Sequence, residues 1–283
     1  MGRRATRTGL FVTIIVAGAW LLSRLTTPEP SHPLACQGDG WIAAGHECLR
    51  FASFRSRDAS EHPTLVVALH GDSPTSNPSY QYDWARQAAR ENTDLVAVGL
   101  LRPGYQDRSG HSSSGMRGKT NGDNYTPAVI DTIALAITHL QQMVGARRTV
   151  IAGHSGGAAI AAAIMGRHPN VADAALLVSC PCDVARWREH MRKASGNAIW
   201  DEPVVAVSPT SVANTVNPGV RIVTLVGRND RVTPPFLTRA YDDLLRARSI
   251  GGDLIEIDGG HDIFFDRAVL AALRALLLAT AYS

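Results

Sequence analysis

Short, mostly apolar runs recur along the chain at residues 64–69, 94–98, 148–152, 174–178, 220–226 and 254–257. They do not alternate with polar residues, so they predict strands covered on both faces. Between them lie stretches with helical spacing, near 79–91, 126–144, 158–165, 234–247 and 263–279. The second of these follows Asn124-Tyr125-Thr126 and places Pro127 in its first turn, where the missing N–H costs nothing. Strands alternating with helices of this length predict an α/β fold with a mostly parallel central sheet and helices on both faces. A β-rich opening to about residue 57 precedes the alternation, and no internal repeat is visible. Residues 36–283 read as one domain, of a length that supports its own core.

The amino terminus follows another pattern. Arg3, Arg4 and Arg7 precede thirteen apolar or small residues at 10–22, and Ser23-Arg24 ends the run. A basic start with a core this short predicts an export signal at 1–25, since a full membrane span takes about 20 residues. Ala17-Gly18-Ala19 offers a cleavage pattern but lies inside the run. Retention of 10–22 as a membrane anchor is therefore the alternative, and either outcome predicts an exported, extracytoplasmic body. Residues 26–35 read as a Pro-rich linker. The chain is formally +3, and the four arginines of 1–25 leave the remainder at −1. A nearly neutral body implies no nucleic-acid partner.

Four cysteines suit an oxidising compartment. They allow three pairings. Cys36 with Cys48 would tie down a hairpin carrying 41–47 at its tip, and Cys180 with Cys182 would bend around Pro181; this is the pairing favoured here. A Cys-x-Cys metal site would need further ligands, and none stands at suitable spacing, so no metal is expected.

The chemistry centres on Gly153-His154-Ser155-Gly156-Gly157. A β-branched strand precedes the pentapeptide and a small-residue helix follows it, so Ser155 falls on a sharp strand-to-helix turn. A serine hydroxyl needs a base, an orienting acid and donors for the oxyanion. Asp230 and His261 follow the strands at 220–226 and 254–257, so both fall on the same carboxyl edge as Ser155. His154, inside the turn, is expected to point away from the nucleophile and to pack or hydrogen-bond.

"GHSGG", "GRNDRVTPP" and "GGHD" resemble the nucleophile elbow, acid loop and histidine loop of the α/β-hydrolase superfamily, a resemblance that covers roughly residues 62–279. It implies Ser155 as nucleophile, His261 as general base and Asp230 as its orienting acid. Asp262, Asp201 and Asp183 are the competing acids. The resemblance also implies an oxyanion hole from the amide of Gly156 and a second amide after the strand at 64–69, in His70-Gly71-Asp72. Asp72 is the expected donor and Gly71 its neighbour.

Two segments leave the catalytic edge. The loop at 101–125 is long enough to be functional or mobile. It offers Arg102 and Tyr105 to a substrate, alongside His70, or else it is a flexible surface loop. Residues 183–218, after the sixth strand, predict a short cap opened by a basic helix with Trp187 and Met191 at i, i+4 spacing. Trp187 either touches substrate or packs on the sheet edge. Ser208-Pro209-Thr210-Ser211 resembles the segment before the acid strand in prolyl-oligopeptidase-type catalytic domains. The expectation is an exported serine hydrolase of a small-molecule carboxylic ester or related acyl bond, with no cofactor. Cleavage of short peptides and a non-catalytic binding domain on the same fold are the alternatives.

Overall fold

A computed structural model of the chain describes residues 1–2, 36 and 38–279. The described residues from 38 to 279 belong to one compact unit. The expected leader, the anchor at 10–22 and the linker lie outside the described residues, save Met1 and Gly2. Among the described residues no helix is long and apolar enough to cross a membrane.

The body is built on one eight-stranded sheet in the order β1-β2-β4-β3-β5-β6-β7-β8. β1 (Trp41–Ala44) and β2 (Glu47–Arg55) form an antiparallel hairpin, and β2 pairs antiparallel with β4 (Leu95–Leu100). β3 (Thr64–Leu69), β5 (Arg148–His154), β6 (Ala174–Val178), β7 (Arg221–Gly227) and β8 (Leu254–Ile257) continue it in parallel. Every residue of β3, β4 and β6 is buried, whereas β8, at the edge of the sheet, is half-buried throughout.

The pleat sorts these strands into two cores. Leu65, Val67, Ile151, Leu177 and Ile222 face α2 (Pro127–Val144), α3 (Gly156–Arg167) and α6 (Pro235–Arg246). Val66, Val150, Leu176 and Leu225 face α1 (Tyr80–Glu91) and α7 (Arg267–Ala279). A helix layer on each face explains why neither face of the central strands is polar. α2 is capped at both ends: the Thr126 side chain accepts the Val129 amide, and Gly145 closes the helix in the left-handed region.

Two expected boundaries move. Trp41–Ala44 is a strand, so the hairpin tip is Gly45-His46 and not 41–47. The last helix starts at Arg267, not 263, because Trp84 Nε1 holds the Phe264 carbonyl at 2.9 Å and Asp266 takes the first free amides. Cys36 is bonded to Cys48 and Cys180 to Cys182. The segment after β6 carries α4 (Val184–Ser195), a 3-10 turn at Ala198–Asp201 and α5 (Pro209–Val212). Arg188 gathers it by donating to the carbonyls of Asn121, Trp200 and Glu202.

Candidate active site

Ser155 ends β5 and caps α3 with φ 52° and ψ −122°. An L-residue is held there only by its surroundings, at a cost of about 1–3 kcal/mol. The surroundings are close. A Cβ on Gly153 would lie 2.4 Å from the Gly157 carbonyl, and one on Gly157 2.4 Å from the Leu69 carbonyl. Both glycines are required by approach of backbone to backbone. The Ser155 amide is tied to the Val178 carbonyl of β6 at 2.8 Å. The hydroxyl is thereby turned out over the carboxyl edge.

The His261 Nε2 stands 2.9 Å from Ser155 Oγ, and its Nδ1 2.9 Å from Asp230 Oδ2. Asp230 is fixed in turn: Oδ1 accepts the amides of Val232 (2.9 Å) and Thr233 (2.8 Å), and Oδ2 accepts the Thr233 hydroxyl (2.8 Å). Burial opposes its charge, but the His261 hydrogen bond and charge and the Thr233 donors hold its pKa below the usual carboxylate value. The competing acids are elsewhere. Asp183 caps α4, Asp201 pairs with Arg192, and Asp262 is exposed.

The loop after β3 is locked from beneath. The Arg102 amide donates to His70 Nε2 (3.0 Å), so His70 Nδ1 carries the proton and donates to the Gly71 carbonyl (2.7 Å). Burial, then the charge of Arg102, keeps this imidazole neutral. The Gly71 amide is spent on the Tyr80 hydroxyl. The amides of Asp72 and Gly156 have no partner among the described residues. They are neighbours: a Cβ on Gly156 would lie 2.6 Å from Asp72 Oδ1, and one on Gly71 2.9 Å from Ser155 Cβ. Two free N–H groups thus flank the serine, as an oxyanion requires.

A carboxylate so near those amides would oppose a developing negative charge. Arg102 cancels it: NH1 donates to Asp72 Oδ1 (2.9 Å) and to the His70 carbonyl (3.2 Å), while NH2 donates to Asn124 (2.9 Å). Tyr125 donates to Asp72 Oδ2 at 2.6 Å, and Tyr105 reaches Oδ1 at 3.4 Å. Burial works against the guanidinium charge, and Tyr105, Asp72 and Tyr125 around it raise the Arg102 pKa.

This packing corrects four expected substrate contacts. His70 and Arg102 are fully buried and Tyr105 is 1% exposed, so all three support the loop after β3 from beneath rather than line the cleft. Trp187 is also buried, with its indole N–H on the Val232 carbonyl (2.9 Å) and its ring stacked on Tyr125. The loop at 101–125 buries both its ends and exposes residues 108–112. It folds back on itself through Gly104–Ser114 and Ser113–Tyr105 backbone bonds, and Asp107 caps its tip. A cavity of about 580 Å3 lies between α4 and residues 200–208, and none of the triad residues lines it.

Tyr80, Tyr125 and Thr233 were not singled out by sequence. Thr233 had a local signal, because an aspartate three residues before a threonine is a common side-chain-to-backbone turn. Tyr80 and Tyr125 had none.

Comparison with known protein families and with curated proteins returns no match. Solved structures do match. The esterase Est1E of Butyrivibrio proteoclasticus with bound ferulic acid aligns with a TM-score of 0.64 at 14% identity, over 86% of this chain and 99% of its own. A Pyrococcus furiosus esterase aligns at 0.61 and 14%, over 84% and 90%. The Pyrococcus horikoshii acylaminoacyl peptidase aligns at 0.62 and 13%, over 86% of this chain but 40% of its own length. The chain has the α/β-hydrolase fold.

Two outcomes follow from this site. Arg102→Ala strands the Asp72 carboxylate and is expected to lower stability by about 3–5 kcal/mol in urea unfolding. Arg102→Lys is expected to recover little of it, because one ammonium cannot span His70, Asp72 and Asn124. The second outcome concerns pH. Burial and the nearby His261 push the pKa of His154 down from 6.5 to about 4. Below 6.5 the unfolded chain binds a proton that the folded chain refuses, so stability falls on acidification through that window. In His154→Gln the slope of unfolding free energy against pH between about 4 and 6.5 should be shallower by about 1.4 kcal/mol per pH unit.

Proposed function

We propose that this protein is a serine hydrolase that cleaves a carboxylic ester or related acyl bond of a small molecule. The observation that carries the reading is the unbroken Ser155–His261–Asp230 line beside the free amides of Gly156 and Asp72. His261 Nε2 takes the Ser155 proton as Oγ attacks the substrate carbonyl carbon. The carbonyl oxygen becomes an oxyanion between the two amides. His261, oriented by ionised Asp230, then gives the proton to the leaving alcohol, and an acyl-Ser155 remains. Water, deprotonated by the same imidazole, releases the acid and restores the serine. No cofactor has a step to perform.

Est1E and the Pyrococcus furiosus esterase support an ester substrate, and the acylaminoacyl peptidase supports short peptides as the second reading. The small cap keeps both within the same mechanism. Export fits the two disulfides and the lack of a free cysteine among the described residues. The basic and apolar leader then either departs by cleavage or holds the enzyme on the outer face of the membrane through residues 10–22.

The test is labelling with a fluorophosphonate, together with turnover of p-nitrophenyl acetate and butyrate. Wild type should label and turn over. Ser155→Ala and His261→Ala should lose labelling, and Asp230→Asn should lower kcat by about ten-thousand-fold with KM little changed. A folded wild type that neither labels nor hydrolyses supports the non-catalytic domain instead.

A further inference from the structure

One buried chain of hydrogen bonds runs under the nucleophile and ends on both catalytic loops. The Gly71 N–H can only donate, so the Tyr80 hydroxyl that receives it is free to donate its own proton to His154 Nδ1, 2.9 Å away. Nδ1 is then an acceptor, and the imidazole proton sits on Nε2. That nitrogen lies 3.1 Å from the His261 carbonyl and donates to it. The direction of every bond follows from the amide at one end and the carbonyl at the other. The chain joins the oxyanion loop to the histidine loop, residues 71 and 261, across the residue just before Ser155.

The surroundings hold it in place. His154 stacks on Phe264 (5.4 Å, 25°), which stacks on Trp84 (4.7 Å, 14°), and Tyr80 meets Phe264 edge-on. The Ser179 hydroxyl adds a second bond to the His261 carbonyl at 3.0 Å. Removing the Gly71 amide from the cleft also leaves Asp72 as the amide on that loop able to meet an oxyanion. Burial keeps the Tyr80 phenol protonated and the His154 ring neutral.

We propose that Tyr80 and His154 are positioning residues that set the oxyanion loop and the triad histidine at one mutual distance. This rests on the reading of Ser155 and His261 as nucleophile and base. Neither side chain touches the reacting atoms. They act through the backbones of Gly71 and His261, so their loss should slow the chemical step and spare binding.

The test uses the full chain with 15N-labelled histidines, and it has a readout that needs no turnover. In wild type, His154 should show the neutral Nε2–H tautomer, and the His261 Nδ1 proton should appear far downfield against Asp230. In Tyr80→Phe and His154→Asn that downfield proton should exchange away. Their kcat on p-nitrophenyl acetate should fall by about 100-fold with KM held within about threefold. His154→Gln, whose amide replaces the Nε2 donor, should recover most of both signals, whereas Asn replaces only the Nδ1 acceptor. A silent wild type whose downfield proton is still lost in Tyr80→Phe and His154→Asn defeats the hydrolase reading and with it the catalytic role proposed here, leaving the chain as a structural clamp. Folded Tyr80→Phe and His154→Asn proteins that keep kcat within about twofold of wild type overturn it. So does equal damage from Gln and Asn.

Discussion

Ser155 occupies a backbone region that costs an L-residue about 1–3 kcal/mol, and the fold is arranged so that it has nowhere else to go. β5 delivers the chain at the carboxyl edge, its pairing with β3 and β6 sets the register, and α3 must start at once. Backbone atoms of Leu69, His70 and Gly157 close around the turn at distances that exclude any Cβ on Gly153 or Gly157. The same register carries the ends of β3, β7 and β8 to the serine, and with them the residues at 70–72, 230 and 261. The strain at one residue and the parallel sheet that imposes it are therefore a single constraint. The Ser155 hydroxyl, the His261 imidazole and the two free amides all take their places from it.

Electrostatics supply the second layer. An acidic residue beside the proposed oxyanion site looks self-defeating until its partners are counted. Asp72 accepts from Arg102, Tyr125 and Tyr105, and Arg102 is itself buried and spread over three oxygen acceptors. The cluster is a stiff, charge-balanced floor that presents the Asp72 N–H upward. A buried ion pair is weak evidence for added stability, but breaking one is costly, so such a pair fixes geometry more than it strengthens the fold. The loop at 101–125 exists in large part to supply this floor, through Arg102, Tyr105, Asn124 and Tyr125.

Much of this was legible in the sequence because it is periodic or local. Mostly apolar runs announce strands covered on both faces, and the glycines around Ser155 announce a turn without room for side chains. The order of Ser155, Asp230 and His261 after three separate runs puts them on one edge. What could not be read depends on distant pairs. Tyr80 meets His154 across 74 residues and Tyr125 meets Asp72 across 53, and neither pairing leaves a spacing to detect. Length suggested that 101–125 is a functional or mobile loop. Arg102, Asp107, Ser113, Asn121 and Asn124 instead turn inward to satisfy buried donors and acceptors, which a count of hydrophilic residues cannot distinguish from exposure. The start of the last helix was misplaced for a similar reason, since the Trp84–Phe264 contact overrides local helix preference.

In the proposed mechanism Asp72 and Gly156, and not Gly71, present the amides that stabilise charge over Ser155. A crystal structure of the protein inactivated by a fluorophosphonate tests it directly. Phosphorus is expected on Ser155 Oγ, with the phosphoryl oxygen about 2.7–3.1 Å from both the Asp72 and Gly156 nitrogens. The Gly71 amide should still be on Tyr80. An adduct on another residue, or a phosphoryl oxygen held by the Gly71 amide with Tyr80 displaced, would contradict it.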